Sequence, residues 1–165
     1  VQLTVAEIYW LAPLTTLIAL WIAWSDLKYM RIPNKSVLAV LAVFVVLGLI
    51  VLPLDAYLWR LAQFAIVLAI GFAVNALRLV GGGDAKFAAA LAPFIAPGDT
   101  RLFLLIFGAT LIAALITYNI FKRVPAVRRA TPDWKSWTAG KDFPMGLALS
   151  GSLIIYFALG LFAAP

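Results

Sequence analysis

Six stretches of this chain are apolar, five of them over roughly the thickness of a bilayer and one shorter, and that limits its fold more than any other feature. A membrane-spanning helix needs about 20 such residues, and lipid leaves no partner for unpaired backbone groups. The stretches are residues 7–24, 36–54, 58–80, 85–97, 101–121 and 144–162. The first has Trp and Tyr near both ends, where such rings anchor at the interface. The fourth is short and ends at Pro97-Gly98, and the third carries Gln63 and Asn75. Only residues 122–142 form a long polar loop. The chain is 65% hydrophobic and 12% charged, where a soluble domain has about 25% charged residues. We therefore expect an all-α, polytopic membrane bundle of about six transmembrane helices. The apolar stretches are too many for a signal peptide. No polar stretch is long enough for an appended soluble domain, so one transmembrane domain over 1–165 is expected. The Val1 start carries the expectation that an initiator region was trimmed or replaced.

Charge orients this bundle. If six spans alternate, Lys28, Arg31, Lys35, Arg78 and Lys86 share one face with Lys122, Arg123, Arg128, Arg129, Lys135 and Lys141. Only Arg60 and Arg101, each close in sequence to an aspartate, fall on the other. Short cytoplasmic loops carry the excess of Lys and Arg, so the first face is expected to be cytoplasmic and both termini outside. The net charge of +6 then reads as a topology signal suited to anionic membrane lipid, and no nucleic-acid partner is expected.

The chain contains no histidine and no cysteine. A Ser-His triad, an HExxH zinc site, a thiol nucleophile and a zinc knuckle are all excluded, and no metal or other cofactor is expected. Acid–base chemistry falls to seven carboxylates: Glu7, Asp26, Asp55, Asp84, Asp99, Asp133 and Asp142. Of these, only Asp26 and Asp84 are both membrane-proximal and on the basic face. Two carboxylates can hydrolyse a peptide by sharing a proton, because like charges a few ångströms apart do not both ionise. The bland reading stays open beside this one. Asp84 before an apolar run is a favoured helix N-cap, Gly81-Gly82-Gly83 a tight turn, and Asp26 a polar stop paired with Lys28 or Arg31. Ser25 with Lys28 is a conceivable dyad without a supporting feature. Gly146, Gly151 and Gly160 read as close-packing positions and Gln63 as an interhelical partner. Asn75 is near enough to the basic face to line a site.

Two motifs carry a resemblance. "DLKYMRIPN", Asp26 followed by Ile32-Pro33-Asn34, and "GGGDAKF", with Gly81, Gly83, Asp84 and Lys86, resemble the paired signatures of type IV prepilin peptidases. "FPMGLAL", from Phe143, is similar to the segment that opens that family's last helix. The resemblance implies an intramembrane aspartic protease of the G-x-G-D type, with Asp26 and Asp84 as the catalytic pair. Gly81 and Gly83 would shape the substrate approach, with Lys86, Asn34 and Pro33 in support. Lys86 is open to two roles, partner of an acid or interface cation. The implied substrate is a prepilin or pseudopilin whose basic leader is removed at the cytoplasmic face of the inner membrane. With no CxxC-bearing insert, the chain resembles the short, protease-only branch that serves Flp-type, tight-adherence pili. Archaeal preflagellin peptidases are a further short relative. From another class, a small transporter or assembly scaffold remains the rival, and the oligomeric state is open.

Overall fold

The computed structural model describes residues 1–140 and 142–163. Among these residues all regular structure is helical: α1 (Val5–Tyr29), α2 (Asn34–Val51), α3 (Leu54–Ala76), α4 (Gly82–Leu91), α5 (Thr100–Arg123), α6 (Pro125–Ala130) and α7 (Met145–Ala163). Three short 3-10 turns complete it, at Ala92–Phe94, Pro97–Asp99 and Lys135–Thr138. Local chemistry sets the breaks. The Thr4 side chain accepts the Glu7 N–H at the start of α1, which ends at Met30 with a left-handed φ of 51°. Pro33 and Pro53 stand at the N-caps of α2 and α3, where a missing N–H costs nothing.

Five helices are long and apolar enough to cross a membrane: α1, α2, α3, α5 with the turn preceding it, and α7. The chain is thus a multi-pass membrane protein in its architecture. Large apolar side chains such as Leu17, Ile50, Phe72 and Ile112 face outward, as lipid contact requires. The expected fourth spanning helix is a correction. α4 stops after 10 residues, and Pro93 and Pro97 divide residues 92–99 into two 3-10 turns. Its ring-locked φ and missing N–H keep proline from continuing the ladder. The broken segment still runs back along α3 to the end where α1 begins. There the Asp99 carboxylate accepts the Gln2 N–H (2.5 Å) and the Tyr156 hydroxyl (2.8 Å), and Tyr156 Oη accepts the Ala96 N–H (3.1 Å).

α1 and α7 form the centre. The Ser150 hydroxyl donates to the Ala19 carbonyl (2.8 Å), and a Cβ on Gly160 would meet Ile8 at 2.7 Å, so small residues set the spacing. Gly151, whose Cβ would meet Thr110 at 3.1 Å, does the same between α7 and α5. Phe44, Phe94 and Phe157 interlock edge to face, with centroids 5.4 and 6.3 Å apart. A Cβ on Gly160 would also approach Val1 at 3.2 Å, so the N-terminal segment and the last turns of α7 share one end of the bundle. The loop after α5 is not featureless. Trp134, Trp137 and Tyr118 stack, and the Tyr118 hydroxyl donates to the Ser136 carbonyl. Lys141 lies outside the described residues.

Candidate active site

Asp26 stands in the last turn of α1, where the chain must leave the helix within four residues because Pro33 follows. Its carboxylate is buried, and its Oδ2 accepts the backbone N–H of Gly146 at 2.7 Å across 120 residues of sequence. A Cβ on Gly146 would lie 2.9 Å from that oxygen, 3.1 Å from Asp26 Cβ and 3.2 Å from Ile32 Cδ1. Only glycine lets the first turn of α7 approach this closely. Its packing reading holds, yet the contact it permits is with an acid.

Asp84 comes from α4. Gly81 is the N-cap and the helix begins at Gly82, so Asp84 occupies the third helical position rather than the N-cap, and no side chain caps this helix. The capping reading is corrected accordingly. Among the described residues Asp84 has no hydrogen-bond or ion-pair partner. Its Oδ2 lies 2.6 Å from where a Gly81 Cβ would be, so Gly81 clears the space the carboxylate occupies. Ile32 packs between the two acid-bearing turns, 3.4 Å from a Cβ placed on Gly83 and in contact with Gly146.

The two acids meet in one cavity of about 700 Å³, lined also by Asn34, Gly81 and Gly83. Five of the six expected site residues therefore converge. Lys86 does not line it. Its exposed Nζ reaches Asn34 Oδ1 at 3.5 Å, a long contact that ties the second motif to the first and involves neither acid. Pro33 serves as the N-cap of α2. Other candidates are occupied elsewhere. The Ser25 hydroxyl donates to the Arg31 carbonyl (3.1 Å) and Lys28 Nζ lies over the Trp24 and Tyr29 rings, so that dyad does not form. Asn75 donates to the Val80 carbonyl (2.8 Å), clamping the turn that precedes the glycines.

Two residues of the site escaped the sequence reading: Asp142 and Gly146. Asp142 joins Asp26, Asp84 and Arg31 in the cavity wall, giving it a locally acidic character on a basic face. The aromatic stack holds it there, because Phe143 packs edge-on against Tyr118 at 5.7 Å. Gly146 acts from behind, through its N–H on Asp26, and the Phe143-Pro144-Met145-Gly146 run was the signal for it.

Residues 14–118 match the sequence profile of the type IV leader peptidase family. The chain belongs to that family. The matched region holds both aspartate motifs and stops before α7, which supplies the N–H on Asp26. No curated protein and no solved structure matched the chain. Family membership makes this a leader-peptidase-type protease and implies a prepilin-type substrate.

Proposed function

We propose that this chain is an intramembrane aspartic endopeptidase that removes the basic leader of Flp-type prepilins at the cytoplasmic face of the inner membrane. One observation carries the reading: Asp26 and Asp84, from motifs more than fifty residues apart, line a single cavity. A water held between them loses a proton to one carboxylate as its oxygen attacks the scissile carbonyl carbon. The other, protonated, acid donates to the carbonyl oxygen. Collapse of the tetrahedral intermediate breaks the C–N bond: one hydroxyl returns its proton to the second carboxylate as the C=O re-forms, and the leaving nitrogen takes up the proton first abstracted from water. The Gly146 N–H orients Asp26 for this, and the bare approach at Gly81 and Gly83 admits an extended substrate backbone.

The test is co-expression with a prepilin in a membrane. Asp26→Asn and Asp84→Asn keep shape and hydrogen-bonding capacity but lose the ionisable proton. Each alone should abolish leader removal while insertion and abundance persist. Asp55, exposed at the start of α3, supplies the control, and Asp55→Asn should process normally. Asp99 is no control, because it holds Gln2 and Tyr156. A well-inserted Asp84→Asn chain that still trims the substrate would overturn the proposal. Trimming of an archaeal preflagellin but not a Flp-type prepilin would move the substrate assignment. Trimming of neither would favour the transporter or scaffold reading.

A further inference from the structure

Asp84 borders a second hollow. It is an apolar groove of about 350 Å³ lined by α3, α4, α5 and the start of α7, and its lining residues Ile70 of α3 and Leu104 of α5 are exposed. Its floor is made of small side chains, Ala85, Ala88 and Ala92, and Gly71 of α3 sits so close that its Cβ would be 3.1 Å from Ala85. Val67 and Val74 form one wall and Phe103 and Phe107 the other. Gln63 lines the end remote from Asp84, and its Oε1 is buried without a hydrogen-bond partner among the described residues.

These features fix what fits. The groove faces lipid, so an occupant with a peptide backbone must satisfy its own polar groups there, which selects an α-helix. A floor of alanines admits a helix backbone more closely than leucine would. From Gln63 to Val74 is eleven residues of α3, about 16 Å, or roughly half the hydrocarbon core. Beyond Asp84 the surroundings change from apolar to polar, with Asp26, Asp84 and Asp142 together. A ligand spanning both sides therefore has a basic, polar part joined to an apolar helix, with the junction at Asp84.

We propose that the α3/α5 groove docks the transmembrane helix of the prepilin, with the basic leader in the acidic cavity and the scissile junction at Asp84. The assignment rests on the proposed protease function and names the surface by which that site takes its substrate. Rotation of the Gln63 amide would turn its unpartnered carbonyl toward a side-chain donor on the docked helix and so help set its register.

Photo-cross-linking tests this. A photoreactive residue is placed singly at Val67, Val74, Leu58 or Ile116 in the Asp26→Asn chain, co-expressed with a Flp-type prepilin. Leu58 and Ile116 are exposed on the same two helices outside the groove. Adducts to the prepilin's apolar helix are expected at 67 and 74 and should be at least tenfold weaker at 58 and 116. The seven residues between 67 and 74 span about 10 Å of helix. Adducts from position 74 should accordingly map nearer the cleavage junction by about seven substrate residues. In the otherwise native chain, Val67→Trp should lower processing of whole prepilin relative to a junction peptide lacking the helix by tenfold or more. Gln63→Leu should lower the same ratio severalfold. Equal adducts at all four positions, or only lipid or a second copy of this chain cross-linked at 67 and 74 while the native chain trims prepilin, would overturn the groove and leave the protease intact. A native chain that trims nothing would overturn both.

Discussion

Gly81, Gly83 and Gly146 surround the two acids, but the space beside each differs, so alanine should separate them. At Gly81 a methyl group would meet the end of the Asp84 side chain at 2.6 Å, and rotation of the carboxylate relieves the clash. Gly81→Ala should therefore leave thermal stability nearly unchanged while cutting kcat tenfold or more, since in the proposed mechanism the acid would move away from the water it shares with Asp26. At Gly146 the methyl group meets Asp26 Cβ and Ile32 as well, atoms that shift only with the backbone. Gly146→Ala should cost about 1–3 kcal/mol of stability in addition to activity. At Gly83 the nearest atom is Ile32 Cβ at 3.4 Å, an ordinary contact. Gly83→Ala should fold normally, and any loss should appear in KM, because only the substrate would meet the new methyl. Thermal unfolding in detergent together with prepilin-processing kinetics checks all three, and a stable Gly146→Ala enzyme with unaltered kcat would remove that glycine from the site.

Among the elements, α3 is the outlier. It packs chiefly on the short α4 and its 3-10 extension, and its tie to α1 is the buried ion pair between Arg60 Nη2 and Glu7 Oε2 at 2.8 Å. Arg60→Met would strand an uncompensated carboxylate, at about 3–5 kcal/mol, whereas adding Glu7→Met removes both charges and should restore most of the loss. Comparing melting temperatures of the two single variants and the double variant decides it; a double variant no better than Arg60→Met would mean that the pair contributes more than charge compensation. The pairing itself was not legible in the sequence, which sets Arg60 beside Asp55. Hydropathy marks length and apolarity, and so it did locate α1, α2, α3, α5 and α7. It counts α4 with them because the alanines of residues 85–92 stay apolar across a helix end, and only Pro93 and Pro97 reveal the break. The same distinction holds at the site. Asp26 and Asp84 lie in local patterns, whereas the roles of Asp142 and Gly146 arise from a contact across 120 residues and from a loop packed by its own aromatics.

For the molecule as a whole, the broken crossing reconciles five spanning helices with the charge pattern. If α4 and its turns did not cross, Lys86 and the loop after α5 would lie on opposite sides. With them, the chain returns from the Asp84 end to the Asp99 end before α5 starts, and Lys122 and Arg123 in the last turn of α5 rejoin Lys28 at the level of the acids. The proposed orientation, with the acids toward the cytoplasm, rests on the net basic charge of that side. The absence of cysteine makes this measurable, since single cysteines can be labelled without background. Cysteines replacing Lys86 and Arg129, both exposed, should react with an impermeant thiol reagent only after the cytoplasmic side is opened. One replacing Asp55, exposed at the opposite end, should react from outside in intact cells. Positions 86 and 129 labelling from different sides would mean that residues 82–99 do not cross, and Asp142 and the Gly146 N–H would then lie on the other side of the membrane from the two acids. Labelling of all three in the reverse sense would keep the pair and move cleavage to the other side of the membrane.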